Sequence, residues 1–261
     1  MRTPSPATAP ATGGARRVDG LTLFVLGLAL ACALAIALWS ASPYGRYLDH
    51  ANQPDSAAGQ LGALGLYVAG WTLMIGAMML PSTVGLLRAL GVVTRARPDR
   101  RQLLLLSGAG FVGVWAVVGY AFRGADVGVH AAVGASDWLE ARPHLIGASA
   151  LLVAGAFQFS SLKDRCLTAC RSPASFLFRH WHGVNPVRDS IGVGAAYGAS
   201  CVGCCWALML VMFGLGTASV PWMLGLGAVM AVEKGSAAGR RLSAPLGVGL
   251  LAAGVIVAAG A

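Results

Sequence analysis

The chain has 261 residues, 56% of them hydrophobic and 11% charged, with a net charge of +9 and a mean hydropathy of +0.69. A water-soluble domain carries about a quarter of its residues as charges, so this composition excludes a solvated globular enzyme, and with it a disordered, collagen-like or disulfide-stapled chain. In a membrane protein the cationic excess calls for no nucleic acid, because Lys and Arg collect in cytoplasmic loops.

Residues 1–18, rich in Pro, Ala, Thr and Gly, have no apolar period and are expected to form a disordered tail. Residues 19–261 are read as one all-α, polytopic transmembrane domain. An apolar run of about 17–25 residues crosses a hydrocarbon core. Seven such runs follow in order: Leu21–Trp39, Leu61–Leu87, Leu103–Phe122, His144–Leu162, Ile191–Leu215, Thr217–Val232 and Leu242–Ala261. The first exceeds the apolar stretch of about 7–15 residues in a signal peptide and is read as a retained anchor. The sixth is short, and the seventh is glycine-rich with Pro245 inside it.

Loop charges orient this map. With seven spans, one side carries 16 of the 19 Lys and Arg residues, leaving Arg46, Arg123 and Arg142 on the other. The positive-inside rule then places the N-terminus in the cytoplasm, as in the inner membrane of a bacterium. After the fourth span, Phe176, Phe178 and Trp181 alternate with Arg179, His180 and His182, a mixture suited to a helix lying on the inner leaflet. Plain anchoring accounts for it better than a ligand site.

No charged residue falls near the middle of a span, and Arg88, Glu233 and Lys234 stand at cytoplasmic ends where they could reach headgroups. Proton relays and voltage sensors need intramembrane charge, so those mechanisms lose support. There is no phosphate-binding Gly-rich loop with Lys-Ser/Thr and no helical His-Glu-x-x-His zinc motif. Gly194-x-x-x-Gly198 reads as a small-residue face for close helix packing.

Sulfur is the distinctive element. Five of six cysteines form two clusters, Cys166/Cys170 and Cys201/Cys204/Cys205. At about 100° per residue, Cys201, Cys204, Cys205, Met209 and Met212 share an arc of about 140° on a helix. With the fifth span rising from about residue 191 at ~1.5 Å per residue, the cysteine trio falls near the bilayer midplane. In the second span Met74 and Met78 stack one turn apart, with Met79 pointing elsewhere. Pro81 removes a helical hydrogen bond and frees a carbonyl near Ala77. Cys166 and Cys170 share one face if the fourth span's helix continues, and Lys163, Arg165 and Arg171 around them favour the thiolate.

Thiolates and thioethers suit soft metals, Cu(I) first among them, with Zn(II) and iron–sulfur clusters as alternatives. One thiolate and one Cu(I) are neutral together, whereas a divalent ion with three or four thiolates leaves net negative charge in hydrocarbon. Against this stands ordinary packing. Methionine stripes often fill cores, and the lone Cys32 is read as a packing residue.

The stretches Trp71-Thr-Leu-Met74-Ile-Gly-Ala-Met78-Met79-Leu-Pro81-Ser82, Leu162-Lys163-x-x-Cys166-Leu-x-x-Cys170-Arg171-x-Pro173 and Gly198-x-x-Cys201-x-Gly203-Cys204-Cys205-Trp206-x-Leu208-Met209, with Glu233-Lys234 closing the sixth span, resemble the signatures of a bacterial family of predicted metal-binding integral membrane proteins of unknown function. The resemblance runs from about Gly65 to Lys234. It implies metal binding, with copper handling as the associated suggestion. Two positions depart from the family pattern: Tyr197 stands where a His is expected, and Gly216-Thr217-Ala218 where a Met is expected after the fifth span.

The resulting expectation is a non-enzymatic membrane protein that transports or delivers Cu(I). Its ligands would be drawn from Cys201, Cys204, Cys205, Cys166, Cys170, Met74, Met78, Met209 and Met212. Its partners would be the lipid bilayer and a metal-donating or metal-accepting protein, not nucleic acid. A thiol–disulfide redox protein and a structural assembly subunit are the alternatives.

Overall fold

A computed structural model describes residues 19–42, 57–215, 220–236 and 239–260. The expected disordered tail, Arg46 and the Gly216-Thr217-Ala218 stretch lie outside them. The described chain is all-helical: α1 (Gly20–Ser40), α2 (Ala57–Met78), α3 (Val84–Val93), α4 (Arg100–Gly134), α5 (Asp137–Glu140), α6 (His144–Phe157), α7 (Ser161–Arg171), α8 (Pro173–His180), α9 (Pro186–Leu215), α10 (Val220–Gly235) and α11 (Gly239–Ala258).

Four helices, α1, α4, α9 and α11, are long and apolar enough to cross a membrane. Two bent pairs bring the number to six if each pair is one span: Leu64–Met78 with Leu80–Val93, bent by 51°, and His144–Phe157 with Ser161–Arg171, bent by 68°. The sixth run of the sequence becomes α10, whose 16 residues fall short of the roughly 20 that span a bilayer. The seventh is α11, which accommodates Pro245 within a continuous helix. The third run is extended by the structure: α4 continues for 35 residues, carrying Arg123 in a salt bridge to Asp126 at 2.7 Å. A stretch read from the sequence as loop is therefore helical.

The tightest seam joins α4 and α9, and glycines make it. A Cβ at Gly194 would run into the Ser107 carbonyl, and one at Gly198 would lie 3.1 Å from the Phe111 carbonyl. The expected small-residue face thus brings two backbones close enough for dispersion contacts that larger residues would prevent. Across the neighbouring seam, Trp71 Nε1 donates to the Trp115 carbonyl at 2.8 Å and Tyr67 to the Gly119 carbonyl at 2.9 Å.

Both bends have local causes. Pro81 cannot donate within a helix, so α2 stops at Met78 and a 3-10 turn over Leu80–Thr83 follows. There the Ser82 hydroxyl donates to the Met79 carbonyl at 2.6 Å. At the other bend, Ser160 adopts an extended backbone and its side chain accepts from the Lys163 amide at 3.1 Å, a helix N-cap that starts α7 in a new direction. The expected continuation of the fourth span through Cys166 and Cys170 is therefore corrected: α7 is a separate helix turned back onto α9.

The charged residues at the span ends also behave differently from the sequence expectation. Glu233 is 2% exposed and Lys163 1%. Lys163 Nζ donates to the Glu233 carboxylate at 2.7 and 2.9 Å and also bonds Gln158. The Ser243 hydroxyl donates to Glu233 at 2.8 Å, and Arg171 Nη1 donates to the Glu233 carbonyl at 2.6 Å. One carboxylate thus ties α7, α10 and α11 together instead of reaching for headgroups. Burial of that charge is tolerable because its partner and its remaining hydrogen bonds are all in place.

In α8 the aromatic residues split. Phe176 is buried and stacks on His180 at 4.2 Å between ring centroids, while Phe178 is exposed. His180 Nδ1 lies 2.9 Å from the Phe176 carbonyl, so its ring serves the helix terminus.

Candidate metal centre

The bend before α7 has a direct chemical consequence. It swings Cys170 against the middle of α9, where Cys201, Cys204 and Cys205 lie. All four of these cysteines are buried. Cys170 is buried in the same core cluster as Cys201 and Cys204. Cys166 is half-buried one turn earlier, and a Cβ at Gly203 would stand 2.5 Å from its sulfur. The two cysteine clusters, 31 positions apart from Cys170 to Cys201, therefore form a single sulfur-rich region. Gly203 is what admits Cys166 to it.

The second bend supplies the opposite wall. The Met79 amide still donates to the Ile75 carbonyl at 2.9 Å, so residue 79 keeps the phase of α2 and shares the buried face of Trp71 and Ile75. Its sulfur points inward, 3.9 Å from Cys201 Sγ, and the residue is fully buried. This corrects the expectation that Met79 points elsewhere. Met74 is buried in the core, whereas Met78 is half-buried with its side chain against Gly227. Met209 and Met212 are buried along α9 beyond the cysteines, within the same apolar core.

A residue absent from the expected ligand set completes the arrangement. Lys234 Nζ donates to Cys201 Sγ at 3.0 Å and stands 3.6 Å from Met79 Sδ. The Glu233-Lys234 pair was visible in the sequence, but its inward direction was not. An ammonium at this distance offsets the charge of a thiolate that hydrocarbon would otherwise disfavour. The Ser82 hydroxyl lies 4.0 Å from the same sulfur.

Tyr197, at the position where a His was expected, links the end of α7 to the 3-10 turn. Its hydroxyl is 2.8 Å from the Cys170 carbonyl and 3.2 Å from the Ser82 carbonyl. Both carbonyls lie where a helix terminates or changes form, so they lack ordinary helical partners. Tyr197 thus acts as a strut between the two broken segments that carry Cys170 and Met79.

The geometry distinguishes the thiols. Those of Cys204 and Cys205 donate back to the Cys201 carbonyl at 3.0 and 2.9 Å, the familiar back-bond of a small polar group to the preceding turn. Cys201 Sγ instead accepts from Lys234. Among the described residues, no three His, Cys, Asp or Glu side chains already form a group that could hold a metal ion. The back-bonds explain this, since they turn two thiols toward the backbone. The Cys201–Met79 pair is nearer to readiness. With metal–sulfur bonds of about 2.3 Å, a sulfur separation of 3.9 Å subtends about 115° at a shared ion, close to trigonal. A rotation of Cys170 or Cys204 would supply the third sulfur.

No curated protein and no solved structure matches the chain. The profile of one protein family, PpoB2, described as a copper chaperone, matches residues 68–257. That range takes in the broken α2, the α7 thiols, the α9 trio and Lys234, and it bears out the expectation of a copper-related, metal-binding family. With most of its length so matched, the chain belongs to the PpoB2 copper chaperone family.

Proposed function

We propose that this protein is a membrane-embedded carrier that receives Cu(I) on a thiolate–thioether site and hands it to a recipient protein. Cys201 is the primary ligand, Met79 the second, and Cys170 or Cys204 the third. Cys166 sits at the edge as an exchange ligand. The observation that carries the reading is the meeting of Cys201, Met79 and Lys234 from three separate segments, Met79 3.9 Å and Lys234 3.0 Å from the Cys201 sulfur, with Cys170 and Cys204 buried in the same core cluster. Soft, uncharged or singly charged sulfur donors favour a soft monovalent ion over Zn(II) or Mg(II). Lys234 adjusts the charge balance derived from the sequence: Cu(I) and one ammonium together neutralise two thiolates.

In this reading the chain makes seven membrane crossings with its N-terminus in the cytoplasm of a bacterium, α10 being a short crossing. The 16 to 3 division of Lys and Arg supports that orientation. The protein catalyses no reaction; copper is cargo.

Elemental analysis tests the proposal. Protein purified from copper-fed cells should carry copper, and the C201S/C204S/C205S variant should lose at least nine-tenths of it. Undiminished copper in that variant would refute the site.

A further inference from the structure

Beside the sulfur cluster lies a cavity of about 280 Å³. Its walls include Cys170, Met78 and Met230, and also Lys234 and Arg171. Neither cation is cancelled by a carboxylate in that wall, because no Asp or Glu lines the cavity among the described residues. Glu233, next to Lys234 in the chain, directs its carboxylate to Lys163 and Ser243. The route to the cysteines is thus soft in its ligands and positive in its charge. Counting the Cys201 thiolate bonded to Lys234, the site keeps a net positive charge from Arg171, which disfavours a free monovalent metal ion and favours an anion, and a low-dielectric wall strengthens both effects.

On the basis of the copper reading above, we infer that this vestibule takes its cargo as an anionic thiolate complex of Cu(I), not as the free ion. Lys234 and Arg171 draw the complex in, and Met78, Met230 and Cys170 line its path. Lys234, already bonded to Cys201 Sγ at 3.0 Å, holds that sulfur at the inner end. The Cys201 thiolate forms a bond to copper as one donor thiolate leaves with its electron pair. Met79 Sδ then replaces the second donor thiolate, which leaves in the same way. A complex of charge −1 and one protein thiolate give a neutral Cys201–Cu–Met79 unit and two free thiolates. Copper remains Cu(I), and no oxidant is required. Lys234 and Arg171 act as recognition and positioning residues throughout.

The test compares two probes on the full-length protein in nanodiscs: Cu(I) in excess glutathione, an anionic thiolate complex, and the cationic tetrakis(acetonitrile) complex of Cu(I). Loading is followed by the ultraviolet thiolate-to-copper absorption. The wild type is expected to load about tenfold or more faster from the thiolate complex, a ratio in the range of electrostatic steering. That ratio should fall toward one as salt rises. R171Q and K234Q should each reduce it severalfold at low salt, while R171K and K234R retain it. Because each variant is judged by the ratio of its own two rates, a general loss of competence cancels. Equal wild-type rates from both probes, a salt-independent ratio, or an undiminished ratio in both Gln variants would overturn this inference and leave the copper site standing. Failure to load from either probe would overturn the copper site, and this inference with it.

Discussion

Glu233→Gln puts the buried charge network under the most direct strain. In the native protein Lys163 and Glu233 are almost wholly out of solvent, 2.7 Å apart. Removing the carboxylate's charge leaves an ammonium buried among α7, α10 and α11 with only neutral oxygens to face. Breaking one partner of such a pair costs about 3–5 kcal/mol, because the stranded ion keeps its desolvation penalty and loses its compensation. For a domain of this size that corresponds to a fall of roughly 10 °C in melting temperature. The double variant K163M/E233L removes both charges and replaces them with apolar groups of similar length. It should recover most of the loss, since the desolvation of two ions disappears along with their attraction. Thermal unfolding of the detergent-solubilised protein provides the measurement, with maleimide labelling of Cys170 as a local reporter of α7 docking. If E233Q melts within a degree or two of wild type, or the double variant is as unstable as the single one, then the pair is not the clamp described here.

Further outcomes follow from individual contacts. Met79→Leu conserves volume but removes a sulfur 3.9 Å from Cys201, so Cu(I) affinity measured by chelator competition should fall at least tenfold; equal loss in Met74→Leu and none in Met79→Leu would reverse the assignment. Gly194→Val should cost about 1–3 kcal/mol through overpacking, because its side chain would meet the Ser107 carbonyl, and an unchanged melting temperature would refute the close α4–α9 seam. Asp19 is held at a pKa of about 2, below its usual 3.8, chiefly by its hydrogen bond to Arg88 and then by that to Thr22. The sign is that of a depressed carboxylate: its stabilisation of the α1 start is present above pH ~4 and lost as pH falls toward ~2. Limited proteolysis within the first turns of α1 should therefore accelerate over that window in wild type, and Asp19→Asn should remove that acid-induced change.

The sequence by itself determined the class of molecule. Few charges and long apolar runs led to an all-helical chain with four to six helices or helix pairs long and apolar enough to cross a membrane, because a backbone in hydrocarbon must satisfy its own hydrogen bonds. It also pointed to the copper-related family that the profile match shows, through the spacing of its cysteine clusters. The Gly194-x-x-x-Gly198 contact was equally legible, because glycine spacing on one helix face is a local property. Three things were not legible. Pro81 announced a break, but which face of α2 turns toward Cys201, that of Met74 and Met78 or that of Ile75 and Met79, depends on how α2 packs against its neighbours. The bend at Ser160 carried Cys170 back to α9, and no periodicity within α7 encodes a direction set by a capped turn. Glu233 and Lys234 look alike in sequence, two charges at a helix end, yet one closes an ion pair with Lys163 and the other bonds Cys201. Which way each faces is decided by partners far away in the chain, and only tertiary packing brings those partners into place.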